Sequence, residues 1–208
     1  TLLQCMWGYI NTLSEKYYHS DNSSSYPKVC KYMDEYSYNI RGWLTDINSS
    51  TSLDDHYFGL ELYYDDVADL GPITKESRYN GNIAGCSWRS RSSTGTGTTK
   101  AYSYFYDDLN RLTNAYYHSN YSTANSYKVT DIQYDKNGNI THLKRWADGY
   151  KIDELIYSYS YNNITNNQLY AVHDIGNDNK GFKDVSGGPN EYWYDRNKYY
   201  QPWQDFFG

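Results

Sequence analysis

The chain has 208 residues, a formal net charge of −6 and a hydrophobic fraction of only 38%, and 28 of its residues are tyrosine. The length suits one substantial domain. An acidic balance argues against nucleic-acid binding, which needs a basic surface to neutralise phosphates. Because burial must come largely from Tyr and Trp, which are enriched in strands, the composition predicts an all-β protein.

Residues 1–31 are interpreted as an N-terminal partial repeat. The opening stretch TLLQCMWGYINTL is mildly apolar but has no basic start and no small-residue cleavage site, so it does not predict a signal peptide. No stretch in the chain approaches the roughly 18 apolar residues of a membrane-spanning helix. We expect the chain to be a piece of a longer protein, with any targeting signal outside it.

Residues 32–175 carry a tandem pattern. An aromatic residue is followed by any residue, then by Tyr and by Asp or Asn, and after a short loop by Ile or Leu. From the second copy to the fifth, the copies are spaced 27 or 28 residues apart, and such a period predicts stacked supersecondary units. The tyrosines before Asp or Asn are the predicted structural anchors of the copies: Tyr38, Tyr79, Tyr106, Tyr134 and Tyr161.

The residues before each anchor alternate, as in Tyr102, Tyr104 and Tyr106, with Ser103 and Phe105 between them. A period of two predicts a strand with the tyrosines on one face. One such hairpin is only marginally stable, so neighbouring copies must stack to bury the aromatic face. The pattern therefore predicts tandem β-hairpins.

A turn is predicted after each anchor, because Asp or Asn can cap a turn with its own side chain. Asp107 fits this role better than a catalytic one. The pair Asn137-Gly138 is a strong hairpin signal. Each copy is thus predicted to be a strand, a turn and a second strand that begins with an aliphatic residue.

Residues 176–208 are interpreted as a degenerate C-terminal repeat and tail. The stretch 176–190 is rich in Gly, Asn and Asp and predicts turns. We count YWYDRNKYY, around Tyr194, as at most a degraded sixth copy, because the chain after it no longer follows the pattern.

The candidate chemistry of the sequence is sparse. The three cysteines, Cys5, Cys30 and Cys86, have no zinc-ligand spacing, and their disulfide state is left open. The histidines are isolated, and adjacent carboxylates on a strand point to opposite faces. No nucleophile elbow or phosphate-binding glycine pattern occurs. We therefore predict no catalytic residue, no metal site, no cofactor and no enzyme activity, and a hydrolase is the most remote class considered.

The tryptophans give the aromatic surplus one functional alternative. Trp43, Trp88 and Trp146 are candidates for stacking on a ligand such as a sugar ring. A binding platform needs a local cluster, whereas the aromatic residues recur with the repeat. Their periodic placement favours packing over ligand stacking.

Two motifs resemble a known family. YDDLNRLTNA from Tyr106 and YDKNGNITHL from Tyr134 resemble the YD repeats of Rhs proteins and of the C components of insecticidal toxin complexes. YSYNIRGWLTDIN, FGLELYY and RYNGNIAGCSW are similar to the stretch that leads into the Rhs repeat-associated core. The resemblance covers roughly residues 32–194.

The resemblance implies a curved, coiled strip of YD-repeat sheet that wraps around a toxin or effector at the C-terminus. This chain would form a partial shell, with its anchor tyrosines packed between turns of the strip. Some members release the effector by autoproteolysis at a motif that contains Asp-Pro. The chain has no Asp-Pro dipeptide, so no cleavage activity is implied.

The expected function is therefore structural. We expect a non-catalytic segment of a secreted or cell-surface protein that encloses or presents a toxin or effector module. Its partners would be that module and further YD repeats of the parent chain. The alternative is a carbohydrate- or cell-surface-binding β-repeat module, whose partners would be glycans.

Overall fold

The structure is a computed structural model of the chain. It describes residues 4–7, 13–20, 30–53, 56–65, 76–92, 95–120, 122–123, 126–161, 164–165, 167–176, 181–182, 193–194 and 200–201. Only the backbone is described for residues 4–7, 17–20, 30–33, 92, 96, 122–123, 160–161, 164–165, 193–194 and 200–201.

The described residues form strands and connecting loops, with no helix among them. The strands are β1 (Gln4–Trp7), β2 (Leu13–Ser20), β3 (Cys30–Tyr38), β4 (Leu44–Ile47), β5 (Phe58–Tyr63), β6 (Gly85–Ser92), β7 (Gly95–Thr96), β8 (Lys100–Tyr106), β9 (Leu112–Ser119), β10 (Ser122–Thr123), β11 (Val129–Tyr134), β12 (Ile140–Ala147), β13 (Tyr150–Ser158), β14 (Ser160–Tyr161), β15 (Ile164–Thr165), β16 (Ala171–Asp174), β17 (Trp193–Tyr194) and β18 (Tyr200–Gln201).

Fourteen of these strands form one open antiparallel sheet, in the order β1-β2-β3-β4-β5-β6-β8-β9-β11-β12-β13-β16. β7 pairs with β6 and β10 pairs with β9 beside this path, while β14–β15 and β17–β18 are separate two-stranded sheets. Most neighbours in the sheet are also neighbours in the chain, as in a series of hairpins. The predicted all-β class with tandem hairpins is therefore confirmed.

The chain divides into two compact units. The first comprises Thr1–Tyr104 and Tyr117–Thr123, and the second comprises Phe105–Tyr116 and Ala124–Gly208. The division falls within the β8–β9 hairpin.

In the first unit, β8 buries its small side chains more completely than its tyrosines. Ala101 and Ser103 are only 2% and 0% exposed, whereas Tyr102 and Tyr104 are half-buried. The two tyrosine rings lie 6.0 Å apart and nearly parallel, so they share a face as predicted. It is the face opposite the tyrosines that is the most deeply buried part of this strand.

The segment between β4 and β5 covers the same face of the sheet on β6, the strand that pairs with β8. Ser50 and Leu53 are fully buried, and the Ser50 hydroxyl lies 2.9 Å from the hydroxyl of Ser87 in β6. Ser87 is the cross-strand partner of Ala101. A covering loop of this kind satisfies the buried hydroxyls, which would otherwise cost stability.

In the second unit, by contrast, the buried face of β13 is the one that carries a tyrosine. Leu155 is 6% exposed and Tyr157 is half-buried, while the alternating neighbour Ile156 is 39% exposed. Asp153 shares the buried face and is fully buried. Its carboxylate accepts hydrogen bonds from the Arg145 guanidinium at 2.6 Å and from a backbone N–H of the segment after β16, which compensates for burying the charge.

Two sequence expectations, on the cysteines and on membrane-spanning helices, can be compared with the described residues. Cys86 is a free, buried thiol whose pKa is raised by burial, whereas the side chains of Cys5 and Cys30 lie outside the described residues. The stretch that the structure describes has no helix long and apolar enough to cross a membrane.

Candidate functional site

The turn that follows the repeat tyrosine has a defined hydrogen-bond pattern. In the β11–β12 hairpin, Oδ1 of Asp135 accepts the backbone N–H groups of Asn137 and Asn139, at 2.8 and 2.9 Å. The Asp135 backbone accepts from the Gly138 N–H at 3.2 Å and donates to the Asn139 carbonyl at 2.9 Å. The side chain of one residue therefore organises the whole turn, as the sequence predicted.

The same four hydrogen bonds occur in two other turns. Asn39 caps the turn between β3 and β4, and Asp107 caps the turn between β8 and β9, with donor–acceptor distances of 2.9 to 3.0 Å. The turn-capping role predicted for Asp107 is confirmed. The fourth residue of each turn has a positive φ, of 76° at Gly42, 63° at Asn110 and 87° at Gly138. Gly and Asn adopt this conformation at the lowest cost.

The carboxylate caps have lowered pKa values. Hydrogen bonds from the Arg111 backbone and side chain lower the pKa of Asp107, and hydrogen bonds from Asn139 lower the pKa of Asp135. Hydrogen bonds lower the pKa of a carboxyl group because the charged carboxylate accepts them better than the neutral acid does. Asn39 forms the same turn with a neutral amide and does not titrate.

The tyrosine of the repeat contacts the preceding hairpin. The Tyr134 hydroxyl donates to the carbonyl of Leu112, the first residue of β9, at 2.7 Å. The Tyr64 hydroxyl donates to the carbonyl of Leu44, the first residue of β4, at 3.0 Å. Burial raises the pKa of both phenols. In each unit, therefore, one tyrosine ties a hairpin to the first residue after the preceding turn.

An arginine in each preceding turn reaches forward. The Arg111 guanidinium lies 4.5 Å from the centre of the Tyr134 ring and donates to the Asp135 carbonyl at 3.2 Å. Arg41 donates to the Tyr79 carbonyl and lies 5.0 Å from the centre of the Trp43 ring. The arginine and tyrosine contacts together connect consecutive hairpins in both directions.

The predicted anchor tyrosines have different environments. Tyr38, Tyr106 and Tyr134 end their strands and are half-buried. Tyr79 lies in the loop between β5 and β6 and is 64% exposed. Tyr161 ends β14, and its side chain lies outside the described residues. Tyr79 thus does not occupy the position of Tyr134.

The sequence interpretation missed Tyr64, which occupies that position in the first unit and is only 8% exposed. The signal was available, because FGLELYYDD alternates and then reaches Tyr-Asp as YFYDD does. The Gly-Asn-Ile that follows such a turn occurs only at residues 81–83, because further residues intervene in the sequence. The motif at Tyr79 is therefore the end of the Tyr64 repeat.

Two terminal hairpins have the same spacing. Tyr134 pairs with Ile140, six residues on, and Tyr38 pairs with Leu44. Trp7 pairs with Leu13 and Tyr194 pairs with Tyr200 at the same separation. The copy at Tyr194, counted as degraded from its sequence, forms a hairpin of the repeat's register. The copy at Trp7 has Trp in place of Tyr and lies within residues 1–31, which the sequence interpretation treated as a partial repeat.

The three candidate tryptophans lie in separate surroundings. The Trp43 ring packs on the Tyr64 ring at 5.1 Å and lies against Gly81. Trp146 lies 4.2 Å below the Lys128 ammonium group. Trp88 joins a larger set of rings. Among the residues that the structure describes, Trp88 alone of the three therefore belongs to an aromatic cluster.

We call this set the aromatic face, defined as Trp88, Tyr102, Tyr104 and Tyr117 of the first unit. The Trp88 and Tyr102 rings are 5.9 Å apart and nearly parallel, and Tyr117 meets Tyr102 edge-on at 5.5 Å. All four side chains are half-buried. Such rings stabilise cross-strand pairs and also suit contact with apolar faces of a ligand.

A charged cluster in the second unit comprises Asp131, His142, Lys144, Lys151 and Glu154. Lys144 Nζ lies 2.8 Å from Asp131 and 3.6 Å from Glu154, and Lys151 also contacts Glu154. His142 lies between the two carboxylates, 3.6 and 3.4 Å from them. Hydrogen bonds from Lys144 lower the pKa of Asp131 and raise that of Lys144, and Lys151 lowers the pKa of Glu154. The charged groups are thus paired with one another within the cluster, and Asp131 and Glu154 are favoured as carboxylates.

One Ser–His pair has the distance of a nucleophile and its base. The Ser103 hydroxyl lies 3.0 Å from Nε2 of His118, but both side chains are fully buried. A substrate cannot reach a hydroxyl in this position, so the pair is a core contact. The described part of the chain also contains no group of three or more metal-ligating side chains.

No protein-family model matches the chain, and no curated protein matches it. The resemblance to YD repeats therefore depends on the sequence motifs and on the capped turn that recurs after the repeat tyrosine.

Proposed function

We propose that the chain is a non-catalytic structural segment of an Rhs-like YD-repeat protein that encloses or presents a toxin or effector module. The observation that carries this proposal is that the polar groups of the motif form hydrogen bonds within the chain. Both oxygens of Asp107 accept hydrogen bonds from its own turn and from Arg111, and the Tyr134 hydroxyl is bonded to Leu112. These polar groups of the motif are thus bonded within the chain itself, as a scaffold requires.

The remaining polar groups support the same proposal. The carboxylates and lysines of the charged cluster pair with one another, and the described Ser–His pair is inaccessible. We place the parent protein at the cell surface or outside the cell. Its partners are the effector module and further YD repeats.

The test is protection of the effector from proteolysis. The parent protein is expressed with the module that its reading frame encodes after this chain, and the effector's half-life under limited proteolysis is compared with that of the isolated effector. We expect strong protection in the parent and none for the same effector added in trans. A matched pair of parent variants, Tyr64→Ala and Tyr79→Ala, should lose and keep protection, respectively. Equal digestion of free and attached effector would contradict the enclosing role.

The aromatic face favours the second candidate, a carbohydrate-binding module. Trp88 would stack on a sugar ring, with Tyr102 and Tyr117 beside it. A glycan array distinguishes the two. The structural proposal expects no binding above background, whereas saturable binding lost in Trp88→Ala and kept in Trp146→Ala would favour the carbohydrate module.

A further inference from the structure

The sequence contains two Asn-Gly dipeptides, Asn80-Gly81 and Asn137-Gly138, and both lie in loops between strands. In such a pair the glycine backbone nitrogen can attack the asparagine side-chain Cγ. A succinimide ring forms and ammonia leaves, and water then opens the ring to aspartate or isoaspartate. Glycine hinders this attack least because it has no side chain. The two sites share their covalent chemistry and differ only in surroundings.

The side chain of Asn137 is free to rotate. It is exposed, and its carboxamide makes no hydrogen bond to any residue that the structure describes. The space where a side chain on Gly138 would lie is open, with nothing within 4 Å. The carboxamide can therefore rotate towards the Gly138 nitrogen without displacing a neighbour, and ring closure breaks one turn hydrogen bond, the one from the Gly138 N–H to the Asp135 carbonyl.

Asn80 is held. Its Oδ1 accepts the backbone N–H of Asn82 at 3.1 Å, which fixes the carboxamide across the loop. A side chain on Gly81 would lie 3.2 Å from the Trp43 ring, so the backbone here is closely packed. Ring closure at this site must break the hydrogen bond and move the glycine against Trp43.

We propose that Asn137 is a modification site at which the folded chain undergoes spontaneous deamidation, converting the amide to aspartate or isoaspartate with water consumed and ammonia released. The isoaspartyl product adds one carbon to the main chain inside the turn capped by Asp135. The bonds from Gly138 to the Asp135 carbonyl and from Asn139 to the Asp135 carboxylate span that insertion. The modification therefore loosens this turn and adds a negative charge beside Asp135.

The test compares the two sites within one chain. The full chain is incubated in mildly alkaline buffer made with isotopically heavy water, and peptide mapping by mass spectrometry follows the amide-to-acid conversion at each asparagine. Folded, we expect Asn137 to react at least about fivefold faster than Asn80, the rate equivalent of about 1 kcal/mol. Unfolded in urea, the two sites should react at similar rates.

The matched variants are Asn137→Gln, which should abolish conversion at this site without changing the fold, and Asn82→Pro, which removes the N–H that holds Asn80 and should speed conversion there. Equal rates at the two sites in the folded chain would overturn the proposal. So would a ratio unchanged by urea, since sequence rather than structure would then set it.

Discussion

The Asn39 turn in the first unit and the Asp107 turn in the second have the same hydrogen bonds but different chemical groups. The amide caps one and a carboxylate the other, and the fourth residue is Gly42 in one and Asn110 in the other. Each is followed by a tyrosine, buried or half-buried, whose hydroxyl donates to the first carbonyl after the turn. Both units therefore retain the same geometry. A side-chain oxygen accepts the N–H groups of the turn, the fourth turn residue has a positive φ, and a tyrosine hydroxyl donates to the first carbonyl after the turn. The repeat is best defined by that geometry rather than by its letters.

The largest effect tests whether Tyr64 is the equivalent of Tyr134. Tyr64→Ala removes a ring that is 8% exposed and packs on Trp43, so we expect a loss of about 3–5 kcal/mol in the free energy of unfolding. Tyr79→Ala removes a ring that is 64% exposed and should change stability by less than about 0.5 kcal/mol. Urea denaturation followed by tryptophan fluorescence measures both. Comparable losses would restore Tyr79 as the anchor.

A smaller effect isolates the phenol hydroxyl. Tyr64→Phe and Tyr134→Phe keep the rings and remove only the hydrogen bonds to the Leu44 and Leu112 carbonyls. We expect each to cost about 1 kcal/mol in the free energy of unfolding. Tyr79→Phe is the control and should be neutral. A neutral result at Tyr64 with a loss at Tyr134 would show that the two contacts are not equivalent.

The third effect depends on pH and separates the amide cap from the carboxylate caps. The pKa values of Asp107 and Asp135 are lower in the folded chain, chiefly because each carboxylate accepts hydrogen bonds within its turn. Their stabilisation is therefore present above the unfolded value of about 3.9 and is lost as the pH falls through the folded value. The Asn39 turn has no such dependence.

Urea titrations at neutral and acid pH measure this difference. The double variant Asp107→Asn and Asp135→Asn keeps the Oδ1 acceptors and should lose less stability in acid than the parent chain does. Asp131 and Glu154, whose pKa values are also lowered, contribute equally to both proteins. Asn39→Asp should add acid sensitivity. Identical acid profiles for all three proteins would mean that the caps do not titrate in the folding equilibrium.

The sequence was sufficient for the local structure. The alternation around Tyr104 predicted a strand and its shared tyrosine face, and Asp107 was predicted to cap the turn. The face that becomes buried was not predictable, because it depends on what covers it. Segment 49–53 covers the small residues near Ser87, whereas Leu155 lies on the buried face of β13.

The anchors show the same limit. Tyr64 was missed because many residues separate its Tyr-Asp from Gly81-Asn82-Ile83 in the sequence, and the pattern expected them close together. The N-terminal copy was predicted only as a partial repeat, because Trp7 stands where the motif has tyrosine. A carbonyl acceptor such as that of Leu44 leaves no trace in the sequence. Only the folded chain shows which ring reaches it.

The smallest effect concerns the fourth turn residue. Gly42 has a φ of 76° and open space around its missing side chain, so a substitution there is limited by backbone strain alone. Gly42→Ala should cost about 1 kcal/mol in the free energy of unfolding, since Ala disfavours this conformation. Gly42→Asn should cost less than about 0.5 kcal/mol, because Asn tolerates it and Asn110 adopts it with a φ of 63° in the equivalent turn.

The reverse exchange completes the comparison. Asn110→Gly should be close to neutral, because glycine relieves strain in the turn but also increases the conformational freedom of the unfolded chain. Asn110→Ala should lose about as much as Gly42→Ala. Unfolding curves of the four single variants therefore form two matched pairs. If Asn proved as costly as Ala at position 42, the two turns would differ in strain despite their shared hydrogen bonds, and the geometric definition of the repeat would have to exclude this residue.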